Sequence, residues 1–190
     1  MEKTNVQKLA KILKILVTIT FICNLLMLPI VPGLVGLHTD GGWFAFWGIA
    51  ADNPLPEPVI FLAVCWQYLF RVWRDPYAGF LAGFLMACGV CTAIILWQAR
   101  RVLDTILEGN PFQDKNGENM KRAAVCCFVI AGAALFRSCW RLWHYEVIAY
   151  LLTYNTLFAF VFSVGGLLCM VMSALFRQAA ELKEENDLTI

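Results

Sequence analysis

The chain has 190 residues, 60% of them apolar and 15% charged, with a formal net charge of +1. A soluble domain is roughly half apolar and about a quarter charged, so an ordinary water-soluble globule is excluded. The basic residues lie at the ends of apolar blocks, a distribution that gives no sign of nucleic-acid binding.

A bilayer core of about 30 Å takes roughly 20 apolar residues per spanning helix, and four blocks reach that length. The first, 9–30, follows a lysine-rich start (Lys3, Lys8, Lys11, Lys14). Such a start can announce a secretory signal peptide. This run is too long for one, and Pro29-Ile30-Val31-Pro32 offers no small-residue cleavage site, so it reads as a retained span. An outer loop is expected over 31–76, with 38–58 rich in Gly, Pro, Asp and Trp. Within it, 59–72 is apolar but short for a span, and Arg71, Arg74, Asp75 and Pro76 break it. That suits a re-entrant or interfacial segment. Trp66, Tyr68, Trp73 and Tyr77 belong at headgroup level.

The second span is expected over 77–98, the third over 123–143 and the fourth over 147–176, the last running on as helix into a charged tail, 177–190. The expected fold is all-α: one integral-membrane four-helix bundle with an outer interfacial segment and an amphipathic cytoplasmic loop, 99–122. Lysine and arginine placement orients it. The amino-terminal arm has four, the 99–122 loop five and the tail two, against four on the other side (Arg71, Arg74, Arg137, Arg141). Both termini and the loop are therefore expected in the cytoplasm.

The loop is the most organised polar piece. Val102, Leu103, Ile106 and Leu107 have helical spacing. Gly109-Asn110-Pro111-Phe112 ends that helix, Gly by a left-handed cap and Pro by stopping continuation. Asn116 or Asn119 is placed to cap the third span. A bare connector is the default for so short a loop; the functional alternative is a partner-docking surface.

The run Ile106-Leu107-Glu108-Gly109-Asn110-Pro111-Phe112, with Asn116 and Asn119 downstream and Glu185-Asn186-Asp187-Leu188-Thr189-Ile190 at the end, resembles an uncharacterised bacterial four-helix membrane family, domain of unknown function 2975. The spacing and four-span layout agree along most of the chain; the outer loop has no matching motif. The resemblance implies a small helix-turn-helix regulator encoded nearby, and hence a membrane partner of a repressor-like protein. It implies no enzymatic activity and no catalytic residue.

Other features are weighed against packing. Seven of the eight cysteines (Cys23, Cys88, Cys91, Cys126, Cys127, Cys139, Cys169) fall in the apolar blocks and Cys65 in an apolar stretch outside them, where small polarizable residues pack well. Cys88-Gly89-Val90-Cys91 has the spacing of a thiol-disulfide pair. It sits mid-span with only Cys65 to exchange with, and an apolar setting keeps thiolate character low. Arg137, Arg141, His144 and Glu146 cluster at the outer end of the third span, either snorkelling or holding an anion. Arg137 and Arg141 share one helix face, and Glu146, Asp75 or Glu57 is a candidate partner for them. His144 and His38 are too few ligands for a metal site, and no cofactor is expected. Asn24, Asn155 and Thr156 are candidate interhelical hydrogen-bonders. Gly79 and Gly83 form a GxxxG pair, and Gly89, Gly132, Gly165 and Gly166 also permit close helix approach or self-association.

The sequence thus reads as a non-enzymatic bacterial inner-membrane protein that binds a helix-turn-helix regulator in the cytoplasm. The docking residues would be Ile106, Leu107, Pro111 and Phe112 in the loop, with Glu184, Glu185, Asp187, Leu188 and Ile190 in the tail. The alternatives are a lipid-binding or carrier bundle built on the arginine cluster and a membrane thiol oxidoreductase using Cys88 and Cys91.

Overall fold

The structure, a computed structural model, describes residues 5–39, 41–52, 54–145 and 153–187. Among these the chain is helical and has no strand. In order come α1 Asn5–Met27, a 3-10 turn Leu28–Ile30, α2 Val31–Thr39, α3 Gly42–Asp52, α4 Glu57–Arg71 and a second 3-10 turn Val72–Arg74. Then come three long helices, α5 Pro76–Leu107, α6 Asp114–Tyr145 and α7 Tyr154–Asp187. Four stretches are long and apolar enough to cross a bilayer: Gln7–Thr39, Pro76–Leu107, Asp114–Trp143 and Tyr154–Asn186. Their outward residues agree with that reading. Leu157, Phe160, Val164, Leu168 and Val171 on α7 are all exposed, and so large an apolar surface is stable against lipid, not water. The chain is a multi-pass membrane protein of all-α fold, with the helices of a four-helix membrane bundle.

Three sequence expectations change. The outer loop of 31–76 is mostly helix, comprising α2, α3 and α4. Its prolines and Gly41 and Gly42 lie at or near helix boundaries, with Gly41 at φ 66° just before α3 and Pro58 in the first turn of α4, while Gly33, Gly36 and Gly48 lie within helices. The amphipathic helix expected over 101–108 is not separate but the end of α5. At 32 residues α5 is about 48 Å long, beyond a core of about 30 Å, so its polar end projects. Finally, α6 begins at Asp114, ahead of the expected 123.

The chain divides into two compact units, 23–90 and the combination of 1–22 with 91–190. In the first, α2 lies close on α4: a side chain at Gly33 would run into the Cys65 carbonyl, and one at Gly36 would meet Tyr68 at 3.2 Å. Leu37, Phe46, Ile60 and Val64 form its core, and Val35, Val72, Ala78 and Ala82 a second cluster. The 59–72 stretch therefore belongs to a helix packed on α2, while Trp66 and Trp73 stay exposed. Asp75 caps α5, its carboxylate accepting from the backbone N–H of Tyr77 at 3.1 Å and Ala78 at 3.4 Å, with Pro76 in the first helical position.

The second unit is built on the α6–α7 pair. Gly117, Ala124, Ala131 and Ser138 recur every seven residues on α6 and are buried; Ala159, Gly166, Ser173 and Ala180 do the same on α7. A seven-residue repeat keeps one seam facing a partner helix. The pairing is antiparallel. Ser173 Oγ donates to the Gly117 carbonyl at 2.6 Å at one end, and Asn155 Nδ2 donates to the Ala134 carbonyl at 2.8 Å and Ser138 Oγ at 2.9 Å at the other. Between them a Cβ at Gly166 would meet the Phe128 ring at 3.1 Å and Cys127 Cβ at 3.3 Å. Gly83, Gly132 and Gly165, also candidates for close approach, have open space where a Cβ would be. Of the Gly79/Gly83 pair, a Cβ at Gly79 would meet Trp73 and the Val72 carbonyl at 3.5 Å, while Gly83 faces no other side chain among the described residues.

Adjacent glycines test the seam. Gly166→Leu should destabilise the detergent-solubilised protein by about 1–3 kcal/mol through overpacking. Gly165→Leu, one residue away, should leave stability near wild type. Equal effects in a thermal-unfolding assay would remove the seam from the account.

Candidate functional site

Several side-chain hydrogen bonds meet at the polar end of the second unit. Here α5 stops at a left-handed Gly109, φ 79°. The Asn110 N–H donates to the Thr105 carbonyl at 3.1 Å and the Gly109 N–H to the Ile106 carbonyl at 3.2 Å, a Schellman closure of the last turn. Only glycine takes that φ without steric cost. The expected cap is thus present, and Pro111 follows it.

Asn116 does something the sequence did not suggest. It lies inside α6, fully buried, and caps nothing. Its Nδ2 donates to Thr105 Oγ1 at 2.6 Å and to the Pro111 carbonyl at 2.8 Å, stapling the α5 end to the turn and to α6. Thr105 Oγ1 itself donates to the Val102 carbonyl at 2.8 Å, so its lone pairs face Asn116. Asn119 is likewise buried within α6, so the capping role expected for this pair is not found. A buried amide that fills two acceptors fixes geometry more firmly than an apolar contact.

The tail joins this end. Lys183 Nζ donates to Asn110 Oδ1 at 2.8 Å, bringing the far end of α7 onto the turn. Lys14 of α1 pairs with Asp104 of α5 at 2.6 Å. Arg122 and Glu118 pair on the exposed face of α6, an arrangement of little energetic weight.

The candidate docking residues are distributed as follows. Ile106, Leu107 and Pro111 are half-buried, while Phe112, Glu184 and Glu185 are exposed. Asp187 ends α7, and its side chain, like Leu188 and Ile190 altogether, lies outside the described residues. The hydrogen bond to Asn110 brings the turn and the α7 end together. Sequence reading missed Leu182, an exposed apolar residue beside Lys183. Its signal was an apolar residue isolated among charges late in a helix.

In the outer cluster Arg137 and Arg141 are half-buried on α6; the His144 side chain and Glu146 lie outside the described residues. Asp75, one of the candidate partners for these arginines, caps α5. No set of three or more metal-ligating side chains occurs among the described residues. The cysteines are all free thiols. Cys126 interacts with Cys91 on α5, and Cys127 with Cys169 on α7, so thiol contacts cross between helices. Cys65, the exchange partner required for a redox role, is buried, and burial pushes its thiol pKa up.

A family profile described as a protein of unknown function, DUF2975, matches residues 68–190. The chain belongs to that family. The DUF2975 match begins late in α4 and takes in all of α5, α6 and α7, and so the Asn116 staple, the turn and the tail. No curated protein and no solved structure matches the chain.

Asn116→Leu should cost about 2–3 kcal/mol, since it strands the Thr105 and Pro111 acceptors. Gly109→Ala should cost about 1 kcal/mol from the left-handed backbone alone. Detergent-phase unfolding of both variants checks the order; an Asn116→Leu protein as stable as wild type would make the staple incidental.

Proposed function

We propose that this DUF2975 protein is a non-enzymatic bacterial inner-membrane anchor. It holds a small helix-turn-helix regulator on a cytoplasmic surface made by the 108–113 turn and the end of α7. The observation that carries this reading is the Lys183–Asn110 hydrogen bond. It turns two segments 73 residues apart in sequence into one surface. Exposed Phe112 and Leu182 supply apolar anchors, and exposed Glu108, Glu181, Glu184 and Glu185 on the same two segments supply negative charge.

The physical fit is direct. A helix-turn-helix protein presents a basic face to DNA, and an acidic surface competes for it and steers its approach. Burial of one or two large apolar side chains at the centre of such a contact supplies most of the affinity. Binding at the membrane then withdraws the regulator from DNA. The Asn116 staple supports this reading, since a preorganised surface loses less entropy on docking. The sequence distribution of charge supports it too: eleven of the fifteen basic residues fall in the amino-terminal arm, the 99–122 loop and the tail, the segments expected on the cytoplasmic side.

Phe112→Asp and Leu182→Asp should each weaken retention by about 2 kcal/mol or more while the bundle stays folded. The readout is the share of the neighbouring helix-turn-helix regulator that sediments with membranes when the two are co-expressed. Removal of 187–190 should release it further. A regulator that remains membrane-bound in the Phe112→Asp/Leu182→Asp double variant, or that never sediments with the wild type, contradicts the proposal.

A further inference from the structure

A groove of about 460 Å³ lies between the first turns of α1 and the last turn of α5. One wall is a polar stripe on an otherwise apolar helix, Gln7, Lys11, Lys14 and Thr18, spaced so that all four share one face. The other is apolar: Ile15 and Ile19 of α1, and Leu107 of α5. Two members of the stripe are answered within the protein. Lys14 pairs with Asp104 at 2.6 Å, and Thr18 Oγ1 donates to the Lys14 carbonyl at 2.7 Å. Lys11 lines the groove, is exposed and has no ion-pair partner among the described residues.

The order of these groups along α1 follows depth in a bilayer. Gln7 and Lys11 come first, where the helix leaves the headgroup layer, and Ile15 and Ile19 lie one and two turns deeper. A ligand matching this groove carries an anion at the shallow end and a hydrocarbon chain at the deep end. A volume in this range fits a headgroup with the first part of a chain. A free anion would use Lys11 and leave the isoleucine wall uncovered.

We propose that this groove is a binding site for an anionic phospholipid, its phosphate at Lys11 and Gln7 and one acyl chain along Ile15 and Ile19. The site is separate from the turn and tail proposed to hold a regulator, and it stands or falls independently of that reading. A lipid seated there lies beside the Lys14–Asp104 pair, which ties α1 to the end of α5.

The test uses the full chain in nanodiscs of phosphatidylcholine containing a minor share of phosphatidylglycerol, with retained lipid counted by native mass spectrometry on release. Phosphatidylglycerol should be retained in preference to phosphatidylcholine. Lys11→Gln should lower that retention about five-fold, the weight of one lysine at a membrane surface. Ile15→Trp, which fills the apolar wall, should lower it comparably. Lys8→Gln, removing an exposed charge outside the groove, should leave it unchanged. Equal retention of both lipids, or an equal loss in Lys8→Gln and Lys11→Gln, overturns the site. Displacement of the lipid by inorganic phosphate together with indifference to Ile15→Trp would make it a free-anion site, and the lipid assignment would fail.

Discussion

Inside a bilayer the hydrophobic effect does not press one helix against another, so association depends on how closely two backbones can approach. In this chain that constraint is met by the α6–α7 seam, where buried small residues recur at seven-residue intervals on both helices. Close approach lets dispersion contacts accumulate. It also brings backbone carbonyls within reach of side chains, as in the Ser173–Gly117 hydrogen bond of 2.6 Å. Asn155, Ser138 and Thr156 close the other end with hydrogen bonds of 2.8 to 3.1 Å. Register is thereby set at both ends, since a slip of one residue would carry the small side chains off the seam.

The polar end follows from that register. Because Ser173 sits against Gly117, the rest of α7 runs alongside the start of α6 toward the turn, and Lys183 arrives at Asn110. The turn itself is held from within by Gly109 and Asn116. Exposed polar contacts such as Lys183–Asn110 contribute little energy alone. Their significance is positional: the seam and the buried amide supply rigidity, and the lysine registers the tail on a turn that is already fixed. Together they hold the segments that carry Phe112 and Leu182 side by side.

Much of this architecture was legible from composition, because the apolar blocks are long and carry few charges and lipid imposes helix on them. The left-handed Gly109 was legible too, since Gly-Asn-Pro after a periodic run has few other solutions. Helices α2 to α4 were not. Gly and Pro across 38–58 looked like loop punctuation, whereas most fall near helix boundaries, Gly48 is carried inside α3, and apolar residues such as Phe46 are free to pack. The seam was hidden for a related reason. Attention fell on glycines alone: of those singled out, Gly83, Gly132 and Gly165 have open surroundings and Gly166 lies on the seam, while the working repeat is spread over Gly, Ala and Ser and shows only as a period. Asn116 was mistaken for a cap because a polar residue near a helix start usually is one. Here the helix starts earlier, and burial turned the same amide into a staple.

The central claim is that turn and tail form one structural surface, and reciprocal hydrogen exchange addresses it most directly. Amide exchange by mass spectrometry would be followed over 110–116 in a protein ending after Ala180, and over 181–187 in an Asn110→Ala protein. Coupled segments must protect each other, because interaction free energy is mutual. The account predicts faster exchange in each segment when the other is altered. Unchanged exchange in both would show that turn and tail are independent, and the shared surface would not exist.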